Sequence, residues 1–122
     1  MKPKVLLIDD DQTILNLLKV FLEIEGFDVK RLDGTSIDAL IDLCRTDRPD
    51  IILMDINLKS INGFTLLRVL RQSAEFGNIR VVMTSGMDLA GKCTQEGANA
   101  FLMKPYMPED LVKLFKKKRV II

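Results

Sequence analysis

The feature that most constrains the fold of this chain is the segment Ile51-Ile52-Leu53-Met54-Asp55, in which four apolar residues are followed at once by a carboxylate. A continuous apolar run of this length, with two β-branched members, is typical of a strand buried on both faces of a sheet. In open parallel α/β sheets, ligands bind outside the carboxyl ends of the strands. An ionised Asp55 beside an apolar core is costly unless a cation or hydrogen-bond donors meet it. We therefore expect the rest of the chain to supply them.

Four other segments have the pattern of strands, and helical patterns separate them. The other strands are predicted at residues 5–8, 27–29, 79–83 and 100–103. Apolar spacings of three and four residues predict amphipathic helices. Their inner faces are predicted to be formed by Ile14, Leu17, Leu18, Phe21 and Leu22; by Ile37, Leu40, Ile41 and Cys44; by Leu66, Leu67 and Leu70; and by Leu111, Val112, Leu114 and Phe115. A weak helix is predicted at residues 88–96, where Gly91 lowers helix propensity.

Five strand–helix units in tandem indicate an α/β fold with parallel strands and helices on both faces. Of the common doubly wound arrangements, the flavodoxin-like five-stranded sheet with order 2-1-3-4-5 fits this number of strands. The length of 122 residues predicts one domain over residues 1–122. Residues 119–122 are interpreted as either a tail or the start of a truncated linker.

Composition excludes several classes of function. The formal net charge of +1 gives no global field that points to nucleic acid or an anionic membrane. No apolar run approaches the roughly 20 residues that span a bilayer. Cys44 and Cys93 lack metal-ligand spacing and are predicted to be free thiols in the cytoplasm. The absence of histidine excludes zinc sites of the usual kind and acid–base catalysis by histidine.

Polar side chains follow four of the predicted strands, and the strand order would bring them to one edge of the sheet. They are Asp9, Asp10, Asp55, Ser85 and Lys104. Neighbouring carboxylates repel each other, and Mg²⁺ relieves this while leaving positions for phosphate oxygens. Lys104 would neutralise one phosphoryl oxygen, and a hydroxyl of Ser85 or Thr84 would donate to another. Asp55 is then a candidate nucleophile that forms an aspartyl phosphate.

This set of residues resembles the receiver domain of two-component response regulators, over the whole length of the chain. The resemblance is carried by Asp9-Asp10, Asp55, Gly63, Ser85-Gly86, Phe101 and Lys104-Pro105. It implies that Asp55 accepts a phosphoryl group and that Asp10 and Asp55 bind Mg²⁺ directly. Asn57 would add its backbone carbonyl as a ligand, and Asp9 would act through water.

The resemblance also implies a conformational switch. Ser85 would swing toward the phosphoryl group, and the ring of Phe101 would turn inward with it. The chain departs from the family in three places. The segment between the fourth and fifth strands is about one helical turn shorter than usual, Lys59 stands where the family often has proline, and Thr84 precedes Ser85 as a second hydroxyl. Ser85 is chosen as the switch residue because the small Gly86 follows it.

The function implied is that of a signalling phosphoacceptor rather than a metabolic enzyme. Asp55 would take phosphate from a sensor histidine kinase or a phosphotransfer protein, and the domain would catalyse only its own phosphotransfer and slow dephosphorylation. The switched domain would control a downstream effector protein in a phosphorelay, as a monomer or a weak phosphorylation-dependent dimer. No direct contact with nucleic acid and none with a membrane is expected.

Three other functions use similar residues. A receiver-like scaffold that does not respond to phosphate would keep the fold alone. A phosphatase of the dehalogenase type would use a strand-end Asp and Mg²⁺, but it needs a second acid where this chain has Asn57. A flavin carrier would need hydroxyls and glycines after the first strand, where this chain has three acids.

Overall fold

The computed structural model of the chain describes residues 2–32 and 36–117. The described elements are five strands that alternate with five helices. The strands are β1 Lys4–Ile8, β2 Asp28–Arg31, β3 Ile51–Asp55, β4 Arg80–Ser85 and β5 Ala100–Met103. The helices are α1 Gln12–Ile24, α2 Ile37–Asp47, α3 Gly63–Gln72, α4 Ala90–Glu96 and α5 Pro108–Lys116. The predicted tail at residues 119–122 lies outside the described residues, so a single domain over 1–122 stays a prediction.

All described strand pairs are parallel, and their order is β2-β1-β3-β4-β5. This confirms the flavodoxin-like doubly wound sheet. The order reverses between β1 and β3, which is the point where such sheets bind ligands. Because the strands are parallel, the residues that end β1, β3, β4 and β5 lie along the same edge, which we call the carboxyl edge.

Side chains alternate between the two faces of each strand and therefore divide into two cores. Along β1, Leu6 and Ile8 belong to one core, whereas Val5 and Leu7 belong to the other. The first core joins the sheet to α2, α3 and α4, and the second joins it to α1 and α5. Helices therefore cover both faces, as expected.

The buried face of α1 differs from the predicted one. Leu15, Leu18 and Leu22 are buried, whereas Leu17, which was assigned to the inner face, is 67% exposed. Apolar residues occupy many positions of this helix. Two different sets of them have the helical spacing of three and four residues, and both fit the pattern equally well. Packing against the sheet decides between them, and the spacing alone does not.

The two cysteines are free thiols, as predicted, and both are buried. Burial raises the pKa of Cys44 to about 11 and also raises the pKa of Cys93. Thiols in such surroundings stay protonated at neutral pH and behave as small apolar packing groups.

Helix α4 has seven residues and starts two residues later than predicted. Its N-cap is Leu89, whose side chain makes no capping hydrogen bond, and Gly97 closes the helix with φ of 94°. Leucine is a poor N-cap because it has no side-chain acceptor for the first-turn amides. The helix therefore starts without a hydrogen bond from its N-cap side chain.

Two arginines of α3 attach α4 and the following turn to the rest of the domain. Arg68 donates two hydrogen bonds to the carboxylate of Glu96, at 2.9 and 2.6 Å. Arg71 donates to the carbonyl oxygen of Gly97 at 2.8 Å and to Oδ1 of Asn99 at 2.8 Å. The short helix is therefore fixed at its carboxyl end.

Substitution of two glycines by alanine is expected to change the free energy of unfolding in opposite directions. A Cβ on Gly63 would lie 2.7 Å from the carbonyl oxygen of Asp55 and 2.8 Å from Cα of Ile56, whereas a Cβ on Gly91 meets nothing within 4 Å. We expect Gly63→Ala to destabilise the fold by about 1–3 kcal/mol, since backbone must shift. Gly91→Ala should stabilise it by about 0.5–1 kcal/mol, because alanine favours helix. Urea unfolding of both variants measures the two signs. A stable Gly63→Ala variant would contradict the close packing of α3 on β3.

Candidate functional site

The carboxyl edge brings together residues that are far apart in sequence. Asp9 and Asp10 follow β1, Asp55 ends β3, Ser85 ends β4, and Lys104 follows β5. Strand β1 pairs with β3, β3 with β4, and β4 with β5. The predicted site residues therefore lie on neighbouring strands, as the strand order requires.

Lys104 lies between two of the carboxylates. Its Nζ is 3.1 Å from Oδ2 of Asp9 and 3.1 Å from Oδ2 of Asp55. The side chains of Asp9 and Asp55 are each 12% exposed, and that of Lys104 is 26% exposed. Burial, the largest single influence, lowers the pKa of Lys104, but the hydrogen bonds and charges of the two aspartates together outweigh it and raise the pKa. The lysine is therefore a permanent cation at this edge at neutral pH.

Backbone amides meet the remaining carboxylate oxygens. The N–H of Asn57 donates to Oδ1 of Asp55 at 3.0 Å, and the N–H of Asp11 donates to Oδ1 of Asp9 at 2.9 Å. Asp10 accepts a hydrogen bond of 2.6 Å from the N–H of Lys59. Proline has no N–H, so this last contact depends on the residue by which the chain departs from the family pattern.

The donor set of this edge suits Mg²⁺, which prefers one or two carboxylates and retains several waters. In this structure the ammonium of Lys104 joins Asp9 to Asp55, whereas Asp10 faces the amide of Lys59. Within residues 2–32 and 36–117, no three acidic or cysteine side chains form a group that could hold a metal ion.

The hydroxyl of Ser85 has defined partners. Ser85 is fully buried, and its Oγ donates to Oδ1 of Asn57 at 2.9 Å while accepting from the N–H of Met87 at 3.1 Å. Along β4, Val81 and Met83 belong to the core beneath α2, α3 and α4, and alternation places Ser85 on that face. The neighbouring Thr84 therefore lies on the opposite face, and it is the side chain of Ser85 that contacts Asn57 in the loop that follows Asp55.

Phe101 is half-buried on β5 and packs against the core beneath α2, α3 and α4. It pairs with Met83, which is two residues before Ser85 on the adjacent strand. The ring and the Ser85 hydroxyl therefore lie on the same face of the sheet.

An apolar groove of about 500 Å³ adjoins the carboxyl edge on the α1 side. It is lined by Ile14, Leu17, Leu18, Lys104, Pro105, Tyr106 and Pro108. The groove is not predicted by the sequence pattern, which places Leu17 in the core and indicates no role for Tyr106. The second apolar stripe of α1 was the available signal.

The surroundings of Tyr106, the only tyrosine of the chain, lead to a prediction for alkaline pH. Burial, together with Asp9 and Asp55, outweighs the lowering effect of Lys104 and raises the pKa of Tyr106 to about 12. We expect ultraviolet titration of the phenol to show a midpoint near 12 in the folded chain and about 10 in denaturant. Between these two pH values the phenol of the unfolded chain releases its proton, whereas that of the folded chain retains it. The free energy of unfolding therefore falls as the pH rises. A folded-state midpoint of about 10 would contradict the half-buried position of the phenol beside Asp9 and Asp55.

This edge distinguishes between classes of protein that share the fold. Three acids follow β1 where a flavin phosphate would need neutral donors, and position 57 holds an amide where a dehalogenase-type phosphatase needs an acid. Two classes remain, which are the phosphoacceptor domain of two-component signalling and a receiver-like scaffold with the same fold. The chain belongs to the response regulator receiver domain family, which matches residues 5–116. It is a signalling domain and not a classical enzyme.

Known proteins of this kind match most of the chain. The DNA-binding response regulator MtrA of Mycobacterium tuberculosis strain H37Rv is 35% identical over 115 residues, which cover 92% of this chain and 48% of MtrA. The solved structure of the chemotaxis response regulator CheY4 of Vibrio cholerae has a TM-score of 0.83 at 24% identity, covering 95% of this chain and 98% of that one. The receiver domain of the sensor histidine kinase PA1611 of Pseudomonas aeruginosa has a TM-score of 0.81 at 22% identity, covering 95% and 96% of the two chains. Its structure contains a magnesium ion coordinated in the active-site cleft.

The expectation about partners is wrong in one respect. The sequence predicts no direct contact of this protein with nucleic acid, but MtrA, to which the chain is similar, is a DNA-binding response regulator. The chain spans about half the length of this curated relative, at 48%. The net charge of +1 describes this chain alone. It therefore carries no information about nucleic acid binding by a longer regulator.

None of the helices in the described part of the chain combines the length and the apolar character needed to cross a membrane.

Proposed function

We propose that Asp55 is the phosphoacceptor of this receiver domain and that a histidine kinase is the donor. The observation that supports this best is the position of Lys104, with Nζ 3.1 Å from Oδ2 of Asp55 at the carboxyl edge. A fixed cation beside a carboxylate is placed to neutralise the oxygens of an incoming phosphoryl group. The Asp55 side chain is still 12% exposed, so a donor can reach it.

The proposed reaction transfers the phosphoryl group from nitrogen to oxygen. A carboxylate oxygen of Asp55 attacks phosphorus, the P–N bond of phosphohistidine breaks, and its electron pair returns to the histidine nitrogen, which takes a proton from water. The product is an acyl phosphate on Asp55. Lys104 then exchanges its contact with Oδ2 for a contact with a phosphoryl oxygen. The domain would also catalyse its own transfer from small phosphodonors and its slow hydrolysis.

We propose that Mg²⁺ assists at the same edge. Asp10 and Asp55 would hold it directly, Asn57 would contribute its backbone carbonyl, and Asp9 would act through water. When bound, the ion supplies positive charge for the phosphoryl oxygens. The carboxylate-rich edge supports this assignment, and the Lys59 amide engages only Oδ2 of Asp10.

The proposed response is a change at Ser85 and Phe101. Ser85 would donate its hydroxyl hydrogen to a phosphoryl oxygen, and the ring of Phe101 would move into the space beside it. Their common face of the sheet supports this coupling. The acyl phosphate would thus bias two conformations of similar energy.

The apolar groove supports a protein donor. Its lining includes the exposed Leu17 and the half-buried Tyr106 next to Lys104, so a donor that covers the groove would lie beside Asp55. We place this phosphotransfer in the cytoplasm, since the receiver family and two free thiols suit a reducing compartment.

Incubating the full chain with acetyl phosphate and Mg²⁺ tests the proposal. We expect a species about 80 Da heavier, stable in acid and labile in base, with the added mass on Asp55. Chelation of Mg²⁺ should suppress it. No adduct with a donor that labels another receiver domain would overturn the proposal.

A further inference from the structure

The hydroxyl of Ser85 is not free to bind a phosphoryl group in this structure. A serine hydroxyl carries a single hydrogen, and here it is donated to Oδ1 of Asn57 at 2.9 Å. The oxygen of the same hydroxyl accepts from the N–H of Met87 at 3.1 Å. Any hydrogen bond from Ser85 to a group on Asp55 must therefore replace the bond to Asn57.

Asn57 is well placed to hold this hydroxyl. Its backbone N–H donates to Oδ1 of Asp55 at 3.0 Å, and its backbone pairs with that of Asn62 in an isolated bridge. The side chain of Asn62 in turn accepts from the N–H of Phe64 at the start of α3. The backbone of Asn57 is therefore fixed on both sides, and rotation of its exposed side chain alone would release Ser85.

We propose that Asn57 is a positioning residue that holds the Ser85 hydroxyl in the unphosphorylated state through its side-chain oxygen. This rests on the proposed function, because Asp55 must be the site that the phosphoryl group occupies. A phosphoryl oxygen is charged and is a stronger acceptor than an amide oxygen. Transfer of the Ser85 hydrogen bond from Oδ1 of Asn57 to a phosphoryl oxygen is therefore favourable. The amide competes for the hydroxyl, and it thereby reduces the affinity for the phosphoryl group. This role belongs to the side chain and is separate from the backbone carbonyl assigned to Mg²⁺.

A double-mutant cycle with beryllofluoride, a mimic of the phosphoryl group, tests the inference at saturating Mg²⁺. The full chain is titrated as wild type, Asn57→Ala, Ser85→Ala and the double variant, with amide NMR spectra as readout of both binding and folding. We expect Asn57→Ala to tighten beryllofluoride binding by about two- to tenfold, the size of one neutral hydrogen bond. In the Ser85→Ala background the same substitution should change nothing, because no hydroxyl remains to be held.

Two further variants serve as comparisons. Asn57→Leu removes the acceptor while keeping the size of the side chain, and it should reproduce the effect of Asn57→Ala. Asn78→Ala removes an exposed asparagine before the opposite end of β4 and should leave the affinity unchanged.

The outcomes separate this inference from the proposed function. An equal effect of Asn57→Ala with and without Ser85, or no effect in either background, overturns the positioning role while leaving Asp55 as acceptor. Wild-type chain that binds no beryllofluoride at saturating Mg²⁺ overturns the acceptor proposal itself, and the positioning role with it.

Discussion

Replacement of Asp55 by Asn is expected to abolish labelling by acetyl phosphate, with a fall in rate of at least about a thousandfold, as for other removed nucleophiles. An amide has no anionic oxygen to attack phosphorus, while its size and shape are nearly those of the carboxylate. The variant should therefore stay folded. Intact-mass spectra, recorded against time at saturating Mg²⁺, measure the rate.

The matched control for this variant is Asp42→Asn, which removes an exposed carboxylate from α2. Its labelling rate should equal that of the wild type. An Asp55→Asn chain that still gains the adduct would assign the acceptor role to another carboxylate, and Asp9 and Asp10 would be the next candidates.

The second large effect is expected for Lys104→Met, which should slow labelling by about 100- to 1,000-fold. The methionine keeps much of the unbranched apolar stem that lines the groove, but it removes the charge that lies 3.1 Å from Asp55. The oxygens of the transferred phosphoryl group then lose the ammonium of Lys104. That charge is already in position in the folded domain, so no reorganisation is needed during the reaction. Single-turnover labelling at saturating Mg²⁺ measures the chemical step apart from metal affinity.

Lys113→Met serves as the control, since Lys113 is exposed on α5. It changes the net charge by the same amount and should leave labelling unaltered. If Lys104→Met and Lys113→Met were labelled at the same rate, Lys104 would be a structural counter-ion of Asp9 and Asp55 and nothing more.

Much of the fold could be predicted because buried parallel strands have a distinctive pattern. The apolar run of β3 and the runs of β1 and β4 are typical of strands in a covered sheet, and the number of strand–helix units then limits the possible orders. The rotation of α1 could not be predicted. Leu15 and Leu17 are both leucines, and only the surface of the sheet decides which of them is buried.

The convergence of these side chains could be predicted because the carboxyl ends of parallel strands lie at the same edge of the sheet, whereas their roles stay predictions. Asp9, Asp55 and Lys104 meet as expected at this edge, although β5 is not a neighbour of β1 or β3 and the long side chain of Lys104 has to reach across. The contacts of Asn57 and Lys59 could not be predicted, because they depend on the path of the loop after β3. Spacing along a sequence does not determine which amide of a loop faces Asp10.

The division of the domain by its sheet has a final consequence. The groove lies on the side of α1 and α5, whereas Ser85 and Phe101 lie on the side of α2, α3 and α4. A donor and a reader of the phosphorylated state could then occupy the domain at once without competing for surface. The surface that receives the phosphoryl donor and the surface that responds to phosphorylation would lie on opposite faces of the sheet.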